Sequence, residues 1–341
     1  MDTSKTIKTK NYHIETLRGL AILLVVIGHV IGSDNHGGMK VGDSSFYRYI
    51  YCLFENIRMP IFTVISGWVY SLHPVLKENI FIFIRKKIRR LILPLIFVGT
   101  LFFILQYITP GTNNKNELIE IWKIYIFPFT IYWYLPSLFI VFVITAFLEY
   151  FKLINTYKKW VYCVIISIVI SYFQLSHIIP ESIPNIFAFK GALYLLPFFI
   201  AGVGFNRFKE IINEPTHKRA YLYFFIIGII LQQINYFFPE KTEFYSDLKL
   251  PILIGLFSSA YLITLNFKNS FFIWLATYAY TIYLFHAFGT AGGRIILKAI
   301  GIHTESLIFL FALLIALFVP ILVEKVLIKW KITRILFLGK R

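Results

Sequence analysis

Residues 15–31 read ETLRGLAILLVVIGHVI, a membrane-length apolar run interrupted by Arg18 and His29. Ionisable groups inside a bilayer span are costly, about 2.5 to 3.5 kcal/mol for a central Arg on insertion scales, so each asks for a partner or a function. The two lie eleven residues apart. At about 100° per residue they return to one helix face, about 16 Å apart along the axis. Something long and polar would touch both. Two readings follow from residue type alone: Arg18 sets topology and His29 is a packed, hydrogen-bonded histidine, or the pair binds a ligand that crosses much of the bilayer.

The rest of the chain fits a membrane setting. Of 341 residues, 58% are hydrophobic, 36 are Phe and only 15% are charged, more apolar surface than a soluble fold of this size buries. The net charge of +17 does not point to nucleic acid, because its basic residues fall in short clusters between apolar runs, as topology-setting charges do. Cys52 and Cys163 lack the spacing of a metal site or disulfide framework, and no metal ligand set is expected. Lys5, Lys8 and Lys10 precede a long apolar run with no small-residue cleavage site after it, so the first span is expected to remain as an anchor.

The expected fold class is all-α, a polytopic integral membrane protein of about ten transmembrane helices in one domain over 1–341. The apolar runs are 17–33, 46–72, 91–109, 130–149, 160–177, 191–206, 220–238, 250–267, 271–289 and 306–328. With the N-terminus inside, inner segments carry 24 Lys and Arg and outer loops 8, so both termini are expected in the cytoplasm, with tails at 1–14 and 329–341. The second run is long enough to tilt or to break at Pro60, and only the Asn266 to Ser270 turn separates the eighth and ninth. The outer loops carry 9 acidic residues against 8 basic ones, a near-neutral surface that suits a sugar better than a polyanion.

On this topology Arg18 sits at the cytoplasmic rim and His29 beyond the midplane. An acyl-CoA fits that spacing: its phosphates would meet Arg at the rim while the pantetheine arm carries the thioester toward His. A histidine there can act as general base on an acceptor hydroxyl or itself accept the acyl group.

The string LRGLAILLVVIGH resembles the opening signature of the membrane acyltransferase-3 family, a basic residue, ten residues, then His. RMPIFTVISGWVYS (58–71), KKIRRLILP (86–94), YWYLPSLF (132–139), LPFFIAGVGF (196–205) and YTIYLFHAF (280–288) resemble later family motifs in the same order, and the wording is closest to the sugar O-acetylases. The resemblance implies ten core spans and transfer of an acyl group, usually acetyl, from acetyl-CoA to an extracytoplasmic carbohydrate. It implies a multi-pass protein of the cell's inner membrane, with membrane lipid around it and acetyl-CoA as donor substrate rather than bound cofactor. It also makes His29 the catalytic histidine and Arg18 its donor-side partner. The family's Arg-x-x-Arg pair falls on Lys87 and Arg90, with Arg89 beside them as a further donor-binding residue. Lys at 87 departs from the pattern but still holds phosphate as a point charge.

Other positions keep two readings. Ser66 and Gly67 line an acyl channel or let helices approach closely. Glu55 and Arg58, three apart, neutralise one another or support the site, and Glu15 orients Arg18 or bonds His13. His286 is a partner of the catalytic histidine or a packed core residue. Trp133, Tyr278, Tyr280 and Tyr283 read as belt and packing aromatics. An exporter of polysaccharide or lipid-linked saccharide, and an N-acyltransferase of an amino sugar, remain alternatives. Against export stand the intact Arg18 and His29 and the lack of Gly/Pro-broken spans repeated in two halves.

Overall fold

The computed structural model describes residues 11–113, 115–176, 179–180, 182–242, 244–245 and 248–341. Residues 1–10 of the expected N-terminal tail, with Lys5, Lys8 and Lys10, lie outside these, as do Glu181, Glu243 and Asp247 of the outer loops. Among the described residues there is no strand, and the chain is an all-helical polytopic membrane protein.

Its principal helices are α1 Tyr12–Ile31, α2 Phe46–Ser71, α3 Ile80–Lys87, α4 Leu93–Ile108, α5 Tyr134–Tyr150, α6 Tyr157–Leu175, α7 Phe189–Arg207, α8 Pro215–Phe237, α9 Leu250–Thr264, α10 Ser270–Ala299, α11 Glu305–Leu327 and α12 Lys331–Leu338. A π-helical turn, Ile88–Ile92, fuses α3 to α4 into one span. Each of the ten apolar runs falls on one helical span, and among the described residues eight are long and apolar enough to cross a bilayer on that basis alone. The other two have evident reasons: α2 carries Arg48, Glu55 and Arg58, and α9 has 15 residues.

α1 lies at the centre of the bundle, with 67% of its apolar window buried, whereas α8 at the periphery has 11%. The outward faces of α6 and α8 are rows of exposed Ile, Tyr and Phe, a surface that calls for lipid rather than water. Without a hydrophobic drive between helices in lipid, close approach at small residues supplies the packing. A Cβ at Gly19 would fall 1.9 Å from the carbonyl oxygen of Phe272, so α1 rides directly on the backbone of α10. Gly67 and Gly202 do the same between α2 and α7, at 2.1 Å from the Phe199 oxygen and 2.0 Å from the Val64 oxygen.

Pro60 does not break α2. The helix continues through it, and the Pro60 ring and the Asn56 carbonyl, which loses its usual helical donor, both lie against Gly255 of α9. The short link between α9 and α10 is pinned from α1: the His13 ring contacts the carbonyls of Ile263 at 3.0 Å and Phe267 at 3.2 Å, and Thr16 Oγ1 accepts from the Asn269 amide at 3.2 Å. Asn269 then caps α10, its side chain accepting from the Phe272 amide.

Residues 329–341 are not a free tail. α12 folds back so that the Leu338 carbonyl accepts from Arg90 Nη1 at 3.1 Å, and Lys340 Nζ pairs with the buried Glu324 of α11, whose other oxygen takes the Thr281 hydroxyl at 2.5 Å. Gly339, in the left-handed region at φ +60, sits where a Cβ would be 2.4 Å from the Arg89 carbonyl oxygen.

Candidate active site

α1 and α10 run parallel, because Arg18 of α1 meets Ala276 of α10 while His29 meets His286. The two residues that interrupt the first span are thus both answered by one partner helix. Arg18 Nη2 donates to the Ala276 carbonyl at 2.7 Å and pairs with Glu15 at 2.9 Å. Glu15 therefore holds Arg18, and His13 bonds elsewhere, to Ile263 and Phe267.

At the other end of the seam the His29 and His286 rings lie 5.1 Å apart. His286 is fully buried. Its Nδ1 faces the carbonyls of Tyr283 at 2.8 Å and Ile282 at 3.0 Å. A carbonyl only accepts, so Nδ1 carries the proton and Nε2, which has no hydrogen-bond partner among the described residues, presents a lone pair. His29 lines a cavity of about 580 Å³ at its end of the bundle, with Asp34, His36, Gln106, Thr112 and Asn113 among its polar lining.

The 32–40 loop forms part of that wall. Gly32 and Gly38 take positive φ, +90 and +46, and a Cβ at Gly38 would fall 2.4 Å from the Ile31 carbonyl, so the chain turns back over the end of α1 only with glycine there. Arg48 holds the loop through the Gly32 carbonyl and the Val41 carbonyl at 3.0 Å. Asp34 accepts from the Ser33 hydroxyl at 2.8 Å and from the His36 and Gly37 amides at 2.8 and 2.9 Å. Those donors, the Ser33 hydroxyl first, hold its carboxyl below the usual range, so it stays charged at the cavity mouth.

A second cavity of about 410 Å³ opens at the Arg18 end, lined among others by Arg18, Ser66, Lys87, Arg90, Tyr280 and Tyr283. Lys87 reaches it from the end of α3 and Arg90 from within the π-helical turn. Lys87 Nζ lies 3.3 Å from the centre of the Phe142 ring, and the Arg90 guanidinium 4.0 Å over Tyr280, whose hydroxyl donates to the Arg90 carbonyl. Aromatic faces thus hold Lys87 and Arg90 in place, while Glu15 holds Arg18.

One hydrogen bond ties the linings of the two cavities together. Tyr283 lines the Arg18-end cavity, and its hydroxyl donates at 2.7 Å to the carbonyl of Ile131, which lines the His29-end cavity. Its ring packs against Phe62 and Tyr134 and lies 6.0 Å from that of His286.

The expected residues do not all gather at this site. Arg89 is not in the Arg18-end cavity: one residue from Arg90 is about 100° around the helix, and Arg89 faces a separate groove. Ser66 lines the cavity, whereas Gly67 is a packing residue. Glu55 and Arg58 do not form an ion pair. Cys52 Sγ approaches Glu55 at 3.7 Å, and the Arg58 guanidinium lies 4.1 Å over the Tyr51 ring, close enough to α1 that a Cβ at Gly28 would meet it at 1.7 Å. Of the aromatics read as packing, Trp133 packs on Gly191, but Tyr280 and Tyr283 line the cavity. Their spacing of three on the face of Ala276 and His286 was the available signal.

A polytopic membrane protein with a cation-rimmed cavity at one end of a parallel helix pair and a histidine in a polar cavity at the other has the layout of a membrane group-transfer enzyme. The chain belongs to the acyltransferase-3 family: the family model described as an acyltransferase domain matches residues 11–325, nearly its whole length. It is therefore a membrane acyltransferase. No curated protein and no solved structure matches the chain.

Proposed function

We propose that this acyltransferase moves an acetyl group from cytoplasmic acetyl-CoA to a hydroxyl of an extracytoplasmic sugar in a surface polysaccharide, lipopolysaccharide or lipid-linked glycan of the cell envelope. The observation that supports this most is the pair of cavities, one rimmed by Arg18, Lys87 and Arg90 and the other lined by His29, whose linings are tied by the Tyr283 to Ile131 bond. In this reading the cations hold the phosphates of the donor, and the pantetheine arm passes Tyr283 to bring the thioester to His29. The 24 to 8 split of basic residues supports a cytoplasmic donor end in an inner-membrane protein.

His29 takes the proton of the acceptor hydroxyl as its oxygen attacks the thioester carbonyl. The C–O bond forms and the C–S bond breaks. The imidazolium then returns the proton to the leaving thiolate, releasing CoA as the free thiol. His286 serves as a positioning residue: with Nδ1–H committed to backbone carbonyls, its unpartnered Nε2 lone pair faces the His29 side of the seam, where accepting from that imidazole as the acceptor binds would leave the other His29 nitrogen basic toward the hydroxyl.

Sealed proteoliposomes test the sidedness. Molecules with the Arg18 end outward should take acetyl-CoA from the bath and acetylate only acceptor trapped in the lumen. Modification of bath acceptor by those molecules, with lumenal acceptor untouched, overturns the reading.

A further inference from the structure

The groove that Arg89 faces has a volume of about 510 Å³ and is lined by Arg85, Lys86, Arg89 and Arg341 together with Ile82, Ile88, Leu93 and Ile335. No acidic residue lines it. It lies between the α3/α4 span and α12, on the side of the span away from the cation-rimmed cavity. From this geometry we infer a site for one anionic phospholipid, its phosphate among the four cations and its acyl chains along the isoleucines and Leu93.

Three observations choose a lipid over a soluble anion. First, the groove is half aliphatic, and Ile82 and Ile88 beside its cations are 54% and 45% exposed, with Phe81 at 87%. A soluble phosphate has nothing to place there, whereas a lipid has chains. Second, α12 is amphipathic and leaves Trp330 and Ile332 58% and 70% exposed beside Lys331 and Arg334, the pattern of a helix lying in a headgroup layer. That sets the groove at headgroup depth. Third, four basic side chains gathered with no acidic side chain among them repel one another until an anion joins them, and basic pockets between membrane helices on the cytoplasmic side bind acidic headgroups for this reason. Donor CoA is served by the other face: Lys87 and Arg90 share one side of the helix, Lys86 and Arg89 the next.

Native mass spectrometry of the whole protein with added lipid tests this independently of the acyl-transfer reading. The wild type should bind phosphatidylglycerol at least about tenfold more tightly than phosphatidylcholine. At about 1 kcal/mol per basic residue, Arg85→Ala with Lys86→Ala should weaken phosphatidylglycerol about 30-fold and leave phosphatidylcholine and labelled acetyl-CoA binding unchanged. Arg341→Ala, at an exposed position, should give about a fivefold loss should the double variant fail to fold. Unchanged phosphatidylglycerol affinity in both variants, or no preference in the wild type, overturns the site. Loss of acetyl-CoA binding with lipid preference intact assigns the groove to the donor instead and equally overturns it.

Discussion

A methyl group at Gly19 should cost this protein more activity than stability. The Cβ of Gly19→Ala falls 1.9 Å from the Phe272 oxygen, whereas ordinary C···O contacts begin at about 3.3 Å, so α1 and α10 must separate by about 1.4 Å there. The Arg18 bond to the Ala276 carbonyl, 2.7 Å in the native seam, would lengthen to about 4 Å, past hydrogen-bond range. The His29 and His286 rings, 5.1 Å apart further along the same seam, would part as well. Overpacking of this kind destabilises by about 1 to 3 kcal/mol. Misplacing reacting groups by about 1 Å costs about a hundredfold in rate. Gly99→Ala in α4 is the control, since its Cβ meets only Leu95 Cδ1 at 3.8 Å. The assay pairs thermal unfolding in detergent with NMR of acetyl groups on the glycan isolated from cells carrying each variant. Wild-type acetylation by Gly19→Ala would refute the dependence of both ends of the site on this one seam.

His29→Ala should lower glycan acetylation by about 10² to 10⁴, the contribution of a general base, with the protein level in the membrane unchanged; wild-type acetylation removes His29 from the mechanism. Charge reversal by Arg18→Glu or Arg90→Glu should weaken labelled acetyl-CoA binding in detergent by more than about tenfold, since opposed charges become like ones at the cavity rim, and unchanged affinity sinks the phosphate clamp. Tyr283→Ala opens the wall between the cavities and should raise turnover of butyryl-CoA relative to acetyl-CoA. An unchanged ratio of the two donors would take Tyr283 out of the acyl path.

Hydropathy made the helices readable, and the Arg18 to His29 spacing picked out the face of α1 that packs on α10, because both are properties of one continuous stretch. Partners contributed from afar were not. Nothing local to α1 says that Ala276 and His286 will answer Arg18 and His29, and Tyr283 reaches an Ile131 carbonyl 152 positions away. Arg89 is a different kind of miss, since helix periodicity alone separates Lys86 and Arg89 from Lys87 and Arg90. Of the two readings at Pro60, tilt or break, the break is not made, and the packing of Pro60 on Gly255 could not be read locally because Gly255 sits on another helix. Glu55 and Arg58 show the limit of spacing rules: three residues apart permits a pair, but Tyr51 and Cys52 compete for the same side chains.

The clasp between Arg90 and residues 338–340 also joins distant parts of the chain. The Leu338 carbonyl accepts from an arginine 248 positions away, Gly339 sits on the Arg89 backbone, and Lys340 pairs with Glu324. Whatever pulls these three residues aside releases the Arg90 guanidinium and the Glu324 carboxylate together, so the seating of one short amphipathic helix is felt at the cationic rim and at α11 at once.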